Sequence, residues 1–198
     1  MKGSKGKNRT KLRIQPDWRW ITSVFGATIG ISAAMSLVSS GLLSGSGIAV
    51  SFLILMVIIL LGIVFDIIGV AVTAAEERPF HSMAAKKVPE AKEALNMLRR
   101  ADRVSSFCND VVGDICGVIS GSASAVIAAQ AVVGLQPLWA SAVQLLMSAV
   151  VAGLTVGGKA FGKSLAMQNA TAILHTAARL IYAVKSVPRR LAALIGRG

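Results

Sequence analysis

The sequence predicts an all-α integral membrane protein: a four-helix transmembrane bundle with amphipathic juxtamembrane helices. Three observations predict it. The apolar residues come in long blocks, not at the helical or strand period that a water-soluble core requires. The chain is 54% hydrophobic and only 15% charged, against about 25% charged in a soluble domain. Its 21 Lys and Arg residues fall in three groups of seven, outside the turns between blocks.

The first block runs from Ile21 to Leu43. It follows a basic head, as a signal peptide would, but its apolar run is too long for one. Gly26, Gly30, Ser32, Ser36, Ser39 and Ser40 make it the least hydrophobic block. An amphipathic or re-entrant segment is therefore the alternative to a retained span. The second block, Ile48 to Ala75, is the most apolar. The third, Val104 to Val133, carries Asp110 and Asp114. The fourth starts at Leu138, reaches about Leu154 and continues as helix through Lys163. A span needs about 20 apolar residues, so the second and third are long enough to tilt or project.

Seven of the basic residues precede Ile21, seven lie between Glu76 and Arg103, and seven lie from Lys159 onward. The turns Ser44 to Gly47 and Gly134 to Pro137 have none. With four spans, all basic segments fall on one side. The positive-inside rule then places both termini and the central loop in the cytoplasm, in what reads as a bacterial plasma membrane. The net charge of +12 flanks the spans without interleaved aromatics. The expected partners are therefore the lipid bilayer and its anionic headgroups, not nucleic acid.

The expected organisation is a basic cytoplasmic tail over 1–20, a transmembrane domain over 21–164, and an amphipathic C-terminal helix with a basic tail over 165–198. Trp18 and Trp20 at one face and Trp139 at the other suit the membrane interfaces. Within the loop 76–103, Pro89 and Glu90 sit well at a helix start. Ala91, Ala94, Leu95, Leu98 and Ala101 then share a face. Farther on, Ile173, Leu174, Ala177, Leu180, Ile181 and Val184 form a second apolar stripe, which Pro188 is expected to end. Both helices either lie on the membrane or pack on the ends of the bundle.

Cys108 and Cys116 are too far apart along one helix to bridge and read as apolar packers. Gly113, Gly117 and Gly121 recur at four-residue intervals, as do Gly153 with Gly157 and Gly158 with Gly162. Small residues so spaced let helices approach closely in lipid, within one chain or in a homodimer. No nucleophile–base set or cofactor loop is visible, so no enzyme is expected.

Asp66, Asp110 and Asp114 are the candidate site. A carboxylate in hydrocarbon costs several kcal/mol unless paired, hydrated or ion-bound. Asp110 and Asp114 share a helix face. Counting from the basic ends of the second and third spans puts all three carboxylates at similar depth. Ser105, Ser106, Asn109 and Ser120 add oxygens. Such a set suits a hard divalent ion, Mg²⁺ above all, as bound or transported ion. Two alternatives stand beside it. Lys159 or Lys163 neutralises an aspartate as a structural pair, or raised pKa values leave the acids protonated in a proton relay. Under the ion reading, these lysines serve as gate or counter-charge.

A family resemblance adds to this. Phe65-Asp66-Ile67-Ile68-Gly69-Val70-Ala71-Val72 resembles the Phe-Ser-Gly-Ser-Glu-x-Ala-Leu pattern of the CNNM/CorC magnesium transporter transmembrane domain. Val111-Val112-Gly113-Asp114 is similar to that family's Leu-x-Gly-Asn. Gly158-Lys159-Ala160-Phe161-Gly162-Lys163 is similar to its Gly-Glu-x-x-Pro-Lys. The resemblance covers Ile48 to Val184, and the order of the motifs carries it. It implies a homodimer that binds Mg²⁺ within the membrane through oxygens of these helices. Asp66 stands where the family has Ser, Asp114 where it has Asn, Lys159 where it has Glu and Gly162 where it has Pro. A helix is added in front, and the soluble CBS module that usually follows is not expected.

Overall fold

Four helices long and apolar enough to cross a membrane dominate the computed structural model. It describes residues 18–43, 45–134 and 136–195, with side chains as far as Ser186. The basic tail expected over 1–20 lies outside the described residues except for Trp18, Arg19 and Trp20. Among the described residues every element is helical.

Helix α1 spans Trp18–Leu43 and α2 spans Ile48–Ala74. Three short helices follow: α3 Arg78–Ala85, α4 Ala91–Leu98 and α5 Ala101–Ser106. Helix α5 continues into a π-helical segment, Phe107–Gly113, and then into α6, Asp114–Ala131. Helix α7 spans Pro137–Gln168 and α8 spans Ala170–Ile195. The long spans are α1, α2, the run from α5 through α6, and α7. Pro137 opens α7, where a missing N–H costs nothing.

Close contacts give the alternation of direction. On α2 and the third span, a Cβ at Gly62 would lie 2.9 Å from Cys116 Cβ, and one at Gly69 would meet Asn109 Oδ1 at 2.0 Å. One residue number rises as the other falls, so these helices are antiparallel. On α2 and α7, a Cβ at Gly158 would meet Ile63 Cδ1 at 2.3 Å, and one at Gly162 would meet Ile67 Cγ1 at 2.7 Å. Both numbers rise together, so these helices are parallel. The bundle therefore runs up and down, with one end made of the two turns and the other of the basic segments.

Helix α2 is central and touches every other span. Leu55, Ile59, Ala123, Ile127 and Val151 form the core near the turns. Ile58, Val111, Ile115, Cys116 and Ile119 form a second layer, against which Val24, Ile31 and Met35 of α1 pack. Cys108 and Cys116 are buried and unbridged, as expected.

At the basic end, Phe80, Ala94, Met97, Leu174, Ala177 and Ala178 close over Val72. The amphipathic helices α4 and α8 thus pack on the end of the bundle and on each other. Glu93 accepts a hydrogen bond from Lys185 at 2.6 Å, and Glu90 faces His175 at 3.7 Å. Leu180 and Val184 stay exposed, at 62% and 71%. Part of the α8 stripe is therefore core and part is exposed. Two expectations about helix ends need correction. Helix α7 runs on to Gln168, and α8 continues past Pro188 to Ile195. Proline removes one backbone donor, which bends a helix more readily than it ends one when helix formers such as Leu191, Ala192 and Ala193 follow.

Candidate functional site: a charged level at the basic end

The third span opens into its π-helical turn where Asn109 enters α2. Gly69 makes that entry possible, because any side chain there would occupy the space of the amide. Asn109 donates from Nδ2 to Ser105 Oγ at 3.3 Å. Its Oδ1 is buried with no hydrogen-bond donor. π-Turns inside α-helices often mark functional sites, and a buried unpaired acceptor calls for an occupant.

One turn along α2 from Gly69, Asp66 faces the end of the π-segment. It is 7% exposed, and no hydrogen bond or ion pair reaches it from the described residues. A Cβ built on Gly113 would stand 3.9 Å from Asp66 Oδ1, 3.4 Å from Lys159 Nζ and 3.3 Å from the Cys108 carbonyl oxygen. These groups thus surround Gly113. Lys159 Nζ lies 3.7 Å from Asp114 Oδ1. The lysine side chain is 25% exposed and the aspartate 72%. Ile63 and Ile67 flank this level by packing on Gly158 and Gly162, which fixes the height of Lys159 between them.

The predicted residues therefore divide. Asp66 and Asp114 gather around Lys159. Asp110 is exposed and joins no ion pair among the described residues. Lys163 is likewise exposed and pairs with no described residue. Gly113 packs inside the bundle, whereas Cβ atoms at Gly117 and Gly121 would meet nothing within 4 Å. Asn109 was expected only as a nearby oxygen; its role as an inserted, unpaired acceptor follows from Gly69 and was missed. The pairing of Gly69 with Asn109 across two helices leaves no mark in either segment alone.

Depth follows from helical rise. From the turn end, Asp66 lies about 27 Å along α2, Asp114 about 26 Å along the third span and Lys159 about 33 Å along α7, at 1.5 Å per residue. A hydrocarbon core is about 30 Å thick. The charged level thus stands about one such thickness from the turn end.

The donor set has consequences for metal binding. Among the described residues, no three His, Cys, Asp or Glu side chains are grouped as a metal cage. The oxygens on hand are the Asp66 carboxylate, Asn109 Oδ1, Asp114 and the Cys108 carbonyl. Compared with protein-family models, curated proteins and solved structures, the chain matches none.

Proposed function

We propose that the protein binds a hard divalent cation, Mg²⁺ first, at the Asp66 level and moves it across the membrane. One observation carries this: a buried carboxylate, Asp66, stands without a partner one turn along α2 from Gly69, where Asn109 Oδ1 is also unpaired. Both are acceptors, and a cation with its waters satisfies both at once. Asp66 and Asp114 ligate, directly or through water, and Asp110 guides the ion to them from the exposed side. Lys159, held at 3.7 Å by Asp114, is the gate and counter-charge: it leaves Asp66 unpaired in the ion-free state and gives up Asp114 when the ion binds. Lys163, one turn away and exposed, strengthens that counter-charge. The order of the three motifs resembling the CNNM/CorC domain supports the same reading.

The proposal includes a membrane orientation and a homodimer. Charge asymmetry places the basic end in the cytoplasm. Asp110, Asp114, Gly117 and Gly121 face away from the chain's own core. A second copy on that face shields carboxylates that lipid would not tolerate.

A second reading has its own observation. The Lys159–Asp114 contact of 3.7 Å suits a non-transporting scaffold or regulatory subunit whose acids serve as structural ion pairs. A calorimetric Mg²⁺ titration of the purified protein and of Asp66→Asn separates the two. Saturable heat from the native protein that vanishes in the variant supports cation binding. No heat from either supports the scaffold.

A further inference from the structure

A cavity of about 460 Å³ opens between α1 and α6 on the turn side of the bundle. Its polar lining is Ser36, Ser39 and Ser40 from α1 and Ser122 and Gln130 from α6. No charged side chain lines it. Most serines inside these helices return their hydroxyl to a carbonyl of the preceding turn, as Ser40 does to Leu37 and Ser122 to Ile119. Ser39 does not. It is 7% exposed, lines the cavity, and makes no hydrogen bond with a described residue. Its Oγ opens into the space it lines, where water is the partner that satisfies it best.

The floor of the cavity is Ile119. Ile119 belongs to the layer with Ile58, Ile115 and Cys116. Beneath that layer, Cys116 packs on Gly62, and Gly113 lies against Asp66 and Lys159. From Ile119 to Gly113 is about 9 Å along the helix. A neutral groove carrying four serines and the charged level are therefore separated by one thin apolar layer on the same helix.

We infer that this serine-lined cavity is the hydrated turn-side half of the cation's path, and that Ile58, Ile115 and Ile119 form its dry gate. The inference rests on the cation-binding proposal and extends it, because α1 then has a function of its own. Neutral oxygens suit passage of a hydrated cation: they replace some water without holding the ion. An anionic lipid headgroup finds no cation in this lining. Leu43, Ile119, Ala123 and Val126 complete the lining, so a lipid tail is the competing occupant, which the test separates from water.

The test uses full-length protein in proteoliposomes, with Cys108 and Cys116 replaced by Ala. Single cysteines are placed by Ser39→Cys, Ser122→Cys and Ile115→Cys, with Ser46→Cys in the turn as the accessible control. A charged, membrane-impermeant thiosulfonate is added from the turn side. Modification of the Ser39 and Ser122 positions, but not of Ile115, is expected. Ile119→Ser, which wets the gate, should raise Mg²⁺ flux above that of the native protein. If Ser39→Cys and Ser122→Cys stay unmodified while Ser46→Cys reacts, the cavity is filled by lipid or a second chain, and the inference is overturned. The cation proposal is scored separately, by Mg²⁺ binding in the same variants. Modification in a protein that binds no Mg²⁺ marks a water cavity only, and removes the path assignment with its premise.

Discussion

Asp66 on α2 and Lys159 on α7 meet at Gly113, at the end of the π-segment: a Cβ on the glycine would lie 3.9 Å from the carboxylate and 3.4 Å from Lys159 Nζ, both ordinary contacts. A buried acid and a lysine thus share one level of the bundle. The local geometry depends on small residues, and so do the predictions that follow.

Gly69→Ala should damage the site more than its size suggests. Its Cβ would occupy the place of Asn109 Oδ1, at 2.0 Å. The amide must leave, or the helices must part. Overpacking of this kind costs about 1–3 kcal/mol. Gly117→Ala meets nothing within 4 Å and should be neutral or stabilise by up to about 1 kcal/mol, since alanine is the better helix former. Thermal unfolding in detergent compares the two, and equal effects would contradict the packing described for Gly69.

Gly117 and Gly121 have a different test. Since neither packs within the chain, Gly117→Leu should leave the monomer's unfolding midpoint nearly unchanged and weaken self-association. Mass measured in detergent across a concentration series reads this. A native protein that is monomeric at every concentration would remove the homodimer.

Topology is tested by sidedness. Charge asymmetry predicts that Ser46→Cys, in the turn after α1, reacts only from outside the cell. A cysteine at Ser82, exposed on α3, should react only from the cytoplasm. Labelling of Ser46→Cys solely from the cytoplasmic side would reject the proposed orientation.

Much of the bundle was legible in the sequence because long apolar blocks and long helices coincide. Long apolar blocks with uncharged turns give the spans, and their ends fall within a few residues of Leu43, Ile48 and Ala131. The fourth span was read short because Gly157, Gly158, Lys159 and Lys163 lower the hydropathy beyond Leu154, while helix geometry continues to Gln168. The convergence of Asp66 and Asp114 was visible from depth along antiparallel helices. What periodicity does not carry is the side of a helix on which a residue ends. Asp110 and Lys163 share the depth of the site and point away from it. The π-turn and the insertion of Asn109 depend on a contact between distant segments. The serine cavity needs α1 beside α6, a pairing that short turns do not dictate.

The central claim is that Asp66 waits for a cation. The most direct measurement is the unfolding midpoint of the purified protein with and without Mg²⁺, for the native chain and for Asp66→Asn. A ligand that binds only the folded state raises the midpoint, by about 2.7 kcal/mol of stability at one hundred times its dissociation constant. The account predicts a rise for the native protein and none for Asp66→Asn. It also predicts an ion-free Asp66→Asn at least as stable as the native chain, because an unpartnered buried charge has been removed. A flat Mg²⁺ response in the native protein, together with a destabilised Asp66→Asn, would contradict it and leave Asp66 as a structural partner of Lys159.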